Sequence, residues 1–255
     1  MHNYPLLEEN KKHLIKKEYP IVIAGPCSVE NLKDMEEYCK LLLKHNVHYI
    51  RAALFKPRTS PHDFQGLMQD GIEILKTLKE KFNIKLVSEI TYADQLPLLL
   101  PYIDVIQIGA RNMQNYELLK AIGKTDKTIL LKRGFSATID EWLGAAEYIL
   151  EAGNNDIILC ERGIRTFETS LRNTLDLASA IYVKQLTNLP VIIDPSHATG
   201  KKELIEPLSM ASIASGLDGF MIEIHKNPEI AYSDGMQSIT LESFEQLMEK
   251  LKKYI

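Results

Sequence analysis

The chain is poor in cysteine, in unbalanced charge and in long apolar runs, and each shortage removes a class of protein. Only three of its 255 residues are cysteine, Cys27, Cys39 and Cys160. They are widely spaced, odd in number and form no CxxC pair, which favours a reducing compartment and no disulfide framework. Charge nearly balances, with 30 Lys+Arg against 34 Asp+Glu and a net of −4. That argues against nucleic-acid binding by bulk electrostatics. No apolar run approaches the roughly 20 residues of a membrane span. The opening MHNYPLLEENKKHLIKKEYP has no apolar signal core. A cytoplasmic, soluble protein is expected, with neither nucleic acid nor membrane as partner.

What is there is a repeated alternation. Short β-branched runs bounded by Gly, Pro or Asn precede longer stretches of helical period. IVIAG leads to NLKDMEEYCKLLLKHN, YIRAALF to DGIEILKTLKEKF, KLVSEI to YADQLPLLLPY, and DVIQIG to NYELLKAIG. TILLKRG leads to TIDEWLGAAEYILEAG, DIILCERG to SLRNTLDLASAIYVKQL, PVIIDPSH to ELIEPLSMASIAS, and GFMIEIH to LESFEQLMEKLKKYI. Eight such units in about 250 residues predict an α/β fold, a single (β/α)8 TIM barrel over residues 20–255. A doubly wound sheet is the alternative, but the first turn, GPCSVE, lacks the GxGxxG pattern. Residues 1–19 form a short N-terminal extension, too short for a second domain and expected to cover the barrel's bottom.

Barrel active sites lie at the C-terminal ends of the strands. Read there, the sequence supplies Arg51, Lys56, Arg58, Arg111, Lys132, Arg162 and Arg165. Any one of these would read as a solvated surface charge. Seven at corresponding positions of a net-negative chain point to anionic substrates, because Arg and Lys suit carboxylate and phosphate. The same ends supply Cys27, His197, Glu223 and Asp234 from strands one, seven and eight, which adjoin when a barrel closes. Thiolate, imidazole and carboxylates together can bind a divalent transition metal. Each residue has a plainer reading. Cys27 could be a packed thiol, His197 a general base or phosphate donor, and Glu223 the partner of an arginine. His225, two residues past Glu223, would share its strand face. Cys160 would lie one barrel layer below Arg162, and Cys39 would be packed on a helix. Thr138 and Glu141 form an expected capping box.

At these residues the chain resembles the type I-beta 3-deoxy-7-phosphoheptulonate (DAHP) synthases. The resemblance is carried by AGPCSVE, RAALFKPRTSPHDFQG, QIGARNMQN, LLKRGFSATIDEW, CERGIRTFE, IIDPSHATG and DGFMIEIHKNPEIAYSDGMQS, in order across residues 18–253. It implies metal-dependent condensation of phosphoenolpyruvate with erythrose 4-phosphate, the first step towards aromatic amino acids. It makes Cys27, His197, Glu223 and Asp234 ligands of one divalent metal ion (Mn, Fe, Co or Zn). It assigns Arg51, Lys56, Arg111, Lys132 and Arg162 to phosphoenolpyruvate, and Arg58, Thr59, Ser60 and Asp194 to erythrose 4-phosphate. Lys56 and His197 are the expected catalytic residues, Lys56 for proton transfer and His197 as ligand. The resemblance also implies a homo-oligomer, dimer or tetramer.

The nearest alternative is 3-deoxy-manno-octulosonate 8-phosphate synthase, which takes arabinose 5-phosphate. It carries KANRSS where this chain has KPRTS. A Schiff-base aldolase using Lys132 as nucleophile is a second alternative, and a sugar-phosphate binding protein on a barrel scaffold a third. The 255 residues leave no room for a fused regulatory domain, so built-in feedback control is not expected.

Overall fold

The computed structural model describes residues 4–10, 19–58 and 60–254. Thr59 and most of the 1–19 extension lie outside the described residues. Eight parallel strands close into a barrel in chain order. They are β1 (Ile21–Gly25), β2 (Tyr49–Arg51), β3 (Lys85–Glu89), β4 (Val105–Ile108), β5 (Thr128–Lys132), β6 (Ile157–Glu161), β7 (Val191–Ile193) and β8 (Gly219–Glu223). The helices are α1 (Pro5–Asn10), α2 (Leu32–Lys44), α3 (Ile72–Lys81), α4 (Leu96–Leu99), α5 (Tyr116–Ile122), α6 (Ile139–Glu151), α7 (Leu177–Leu186), α8 (Pro195–Thr199), α9 (Ile205–Ala214) and α10 (Leu241–Leu251). Among the described residues no helix is long and apolar enough to cross a membrane.

The strands are apolar almost throughout because both faces are covered. Ile23, Val105, Leu130, Ile158 and Met221 fill the barrel interior, and Cys160 packs among them as expected. Alternate residues such as Ala24, Ile50 and Leu86 join the layer beneath the helices. Local chemistry sets the helix starts. Asn31 caps α2 by accepting from Asp34 N, and Thr138 with Glu141 forms the capping box of α6. Cys39 is buried on the inner face of α2. The barrel closes between β1 and β8, registered from Ile21↔Gly219 to Gly25↔Glu223. A Cβ at Gly219 would lie 1.9 Å from Ile21 O, so the seam admits only glycine there.

Three local expectations differ from the structure. PVIIDPSH does not continue as strand: β7 stops at Ile193, Asp194 caps a new helix by accepting from His197 N, and Pro195 opens it. SLRNTLD, residues 170–176, is not helical. It runs as a loop closed by an Ile164↔Thr174 bridge, and α7 starts only after Asp176, which accepts from Ser179 N. His225 does not share the face of Glu223. β8 has ended, and His225 turns to Glu30, 3.5 Å away, and to the ring of Tyr38. α1 packs along α6 on the barrel's flank, with Leu7 N donating to Glu147 Oε1 at 2.7 Å, and the remainder of the extension expected at the barrel's bottom lies mostly outside the described residues.

Candidate active site

The closing seam gathers four donors from distant parts of the chain. Cys27 lies two residues beyond β1, Glu223 ends β8, His197 sits on α8, and Asp234 follows in the loop after β8. One donor atom from each lies within 4.8 Å of the others. Cys27 Sγ donates to Asp234 Oδ2 at 2.9 Å, and His197 Nε2 stands 3.3 Å from Glu223 Oε1. Asp234 adopts a left-handed backbone with φ of 51°. That conformation costs a non-glycine residue roughly 1–2 kcal/mol, though aspartate, like asparagine, tolerates it better than most.

The set fits a divalent metal on three counts. His197 Nδ1 lies 2.8 Å from Asp194 Oδ2, which holds a proton on Nδ1 and leaves Nε2 for a metal. Glu223 Oε1 is buried without a hydrogen bond. Arg51 Nη1 is 2.6 Å from it, but misaligned, so the contact is an ion pair that leaves a lone pair open. Third, thiolate, imidazole and carboxylate are donors that first-row divalent ions share. In the protein alone, burial and then Glu223 push the Cys27 thiol up to about 12, while burial brings His197 down to about 4. At neutral pH these are a thiol and a neutral imidazole.

Beside the quartet opens a cavity of about 260 Å³. Lys56, Arg58, Arg111, Lys132, Arg162 and Arg172 line it, with His197 and Asp234 at its inner edge. Phe135 organises part of this wall. The guanidiniums of Arg162, Arg165 and Arg111 lie 4.5, 5.0 and 5.5 Å from its ring centroid, within cation–π range. Burial lowers the Arg162 pKa to about 10, the mark of a cation short of anionic partners. Lys56 is also buried. Burial opposes its charge, but Cys27 once ionised and, more weakly, Glu89 and Glu223 outweigh that, and its pKa is raised.

Not every residue expected at the site reaches the cavity. Arg51 is 1 % exposed and lies under the quartet, donating to Cys27 O at 3.2 Å. Its Nε and Nη1 make no hydrogen bond among the described residues. Asp194 is wholly buried, 2.5 Å from Lys132 Nζ as well as bonded to His197. It braces those two side chains and is not on the cavity wall. Ser60 accepts from His62 N and does not line the cavity. Thr59 lies outside the described residues. Arg165 stacks on Phe135 behind the wall.

Arg172 and Phe135 belong to the site and were not singled out by sequence reasoning. Arg172 reaches the cavity because the chain around it is loop, 3.6 Å from Asp234 Oδ1. The cap residue Asp176 with Ser179 was the available signal that the helix begins later.

A family model described as the DAHP synthetase I family matches residues 6–255. The phospho-2-dehydro-3-deoxyheptonate aldolase of Thermotoga maritima is 47% identical over 235 residues, or 92% of this chain and 70% of that protein. A crystal structure of the Thermotoga maritima enzyme of that name covers 92% of this chain and 69% of its own, with a TM-score of 0.89. A truncated 3-deoxy-D-arabino-heptulosonate 7-phosphate synthase from the same organism is 43% identical, with a TM-score of 0.85 over 92% of this chain and 86% of its own. More distant is the 2-dehydro-3-deoxyphosphooctonate aldolase of Geobacter sulfurreducens, 30% identical over 250 residues and 91% of each chain.

Proposed function

The chain belongs to the DAHP synthetase I family, and from that premise we propose how its barrel mouth performs the condensation of phosphoenolpyruvate with erythrose 4-phosphate. The observation that carries the reading is six cationic side chains converging on one cavity against the four-donor cluster. Two phosphates and a carboxylate need that many cations.

In the reaction the C3 methylene of phosphoenolpyruvate forms a bond to the aldehyde carbon. The aldehyde oxygen takes a proton and becomes a hydroxyl. Water adds at C2 and the C2–O bond to phosphate breaks; one proton of the water offsets the one given to the aldehyde oxygen, the other leaves with the phosphate, and a ketone and inorganic phosphate remain. A divalent metal held by Cys27, His197, Glu223 and Asp234 would supply Lewis-acid polarisation of the aldehyde. Manganese, iron, cobalt and zinc all suit the donors.

The chain's own residues do the rest. Lys132, Arg162 and Arg111 hold phosphoenolpyruvate, while Arg51 lies below the cavity, ion-paired with Glu223. Arg58 takes the phosphate of erythrose 4-phosphate, with Arg172 beside it across Asp234. Positioning two anions in contact supplies much of the rate. Lys56 lines the cavity as an ammonium and holds the proton for the new hydroxyl. Lys132 is a poor candidate for a Schiff base, because its Nζ is paired with Asp194 at 2.5 Å. Assembly as a homo-oligomer, dimer or tetramer, is part of the same reading, as is the division into an extension at 1–19 and a catalytic barrel at 20–255.

The choice of aldehyde rests on KPRTS and on the higher identity to the heptonate enzyme. Phosphate release from phosphoenolpyruvate tests it. Erythrose 4-phosphate should support turnover roughly 100-fold better than arabinose 5-phosphate. The opposite preference would assign the octonate reaction instead.

A further inference from the structure

Gln237 stands between the four-donor cluster and the cavity wall, and both ends of its amide are engaged. It is 3 % exposed. Its Nε2 donates to Glu223 Oε2 and its Oε1 accepts from Arg172 Nη1, each at 2.5 Å. The amide cannot turn over. A flip would face its NH2 to a guanidinium, which only donates, and its oxygen to a carboxylate, which only accepts. Glu223 therefore has two unlike oxygens. Oε2 is held by Gln237, while Oε1 has no hydrogen bond and faces His197 Nε2.

We propose that Gln237 is a positioning residue that fixes the Glu223 carboxylate with one oxygen reserved for a metal ion, and that Arg172 locks Gln237 in the required orientation. The proposal rests on the metal reading of the cluster. Backbone geometry supports it. Gln237 N donates to Asp234 O at 3.3 Å, so one tight turn carries both a ligand and the clamp on a second ligand. Gly235 permits that turn, since a Cβ there would lie 2.0 Å from Pro228 O. Arg172 also pairs with Asp234 Oδ1 at 3.6 Å, and so braces both acidic donors from the cavity side.

Cobalt(II) alone is the probe, titrated into metal-free protein while thiolate-to-cobalt absorption and melting temperature are followed. Gln237→Ala should bind cobalt about 10- to 100-fold more weakly, yet melt cooperatively and show the thiolate absorption at saturation. Arg172→Met should lose affinity in the same direction by a smaller factor. If Gln237→Ala does not fold, Gln237→Met, of similar length but without a donor, decides. A folded Gln237 variant with wild-type cobalt affinity would overturn the proposal alone. A wild type that binds no cobalt would overturn the metal reading with it.

Discussion

Cys27 is held as no packing thiol needs to be. Its sulfur donates to Asp234, its carbonyl accepts from Arg51, and Lys56 lies close enough to respond to its charge once it ionises. With the thiol pushed up to about 12 and His197 down to about 4, only Cys27 must lose a proton to bind metal near pH 7.5. Metal binding should then release about one proton and tighten as pH rises. Titration calorimetry in buffers of different ionisation enthalpy measures this, and binding without proton release would remove the thiolate from the ligand set. Cys27→Ser should weaken metal binding and turnover together while the melting temperature holds. At Lys56, the →Ala variant should lose about 10²- to 10⁴-fold in kcat. A near-normal kcat with only a raised KM would make Lys56 a binding residue and no proton donor. The four donors and most cavity cations were legible from strand ends alone. The burial of Arg51 and Asp194 was not, because a side chain's partners depend on neighbouring strands and leave no local sequence signal.

At the scale of elements, the strands were legible because two-sided burial makes each a short apolar run, and helix positions followed from their period. The departures lie where chain ends its pairing early. Asp194-Pro195 is a helix start that looks like a strand end. The polar stretch before Asp176 can be drawn on a helical period while serving as a loop. That loop is anchored by a buried network. Arg133 Nη1 lies 3.0 Å from both Glu161 Oε2 and Asp176 Oδ2, and Glu161 Oε1 accepts from Gly163 N at 2.5 Å. Arg133 and Glu161 immediately follow and precede the cavity residues Lys132 and Arg162. Glu161→Ala should cost about 3 kcal/mol of stability, since it leaves Arg133 less compensated, and raise the KM for phosphoenolpyruvate. Denaturant unfolding and steady-state kinetics check both effects, and an unchanged KM would make the network structural only. Thr138→Ala, at a cap outside the cavity lining, should cost about 1 kcal/mol and leave kinetics alone.

For the molecule as a whole, closure of the barrel is what makes the site. Cys27 and Asp234 are separated by most of the chain, and only the pairing of β1 with β8 sets them 2.9 Å apart. The cations come from the other strand ends, so the two halves of the chemistry share one mouth. The most direct test is phosphate release by protein stripped of metal with a chelator and supplied with phosphoenolpyruvate and erythrose 4-phosphate. We predict no release above background until one divalent ion per chain is restored, and none then from Cys27→Ser at the same metal concentration. Full turnover by the stripped wild-type protein, with the metal content verified as absent, would contradict the account.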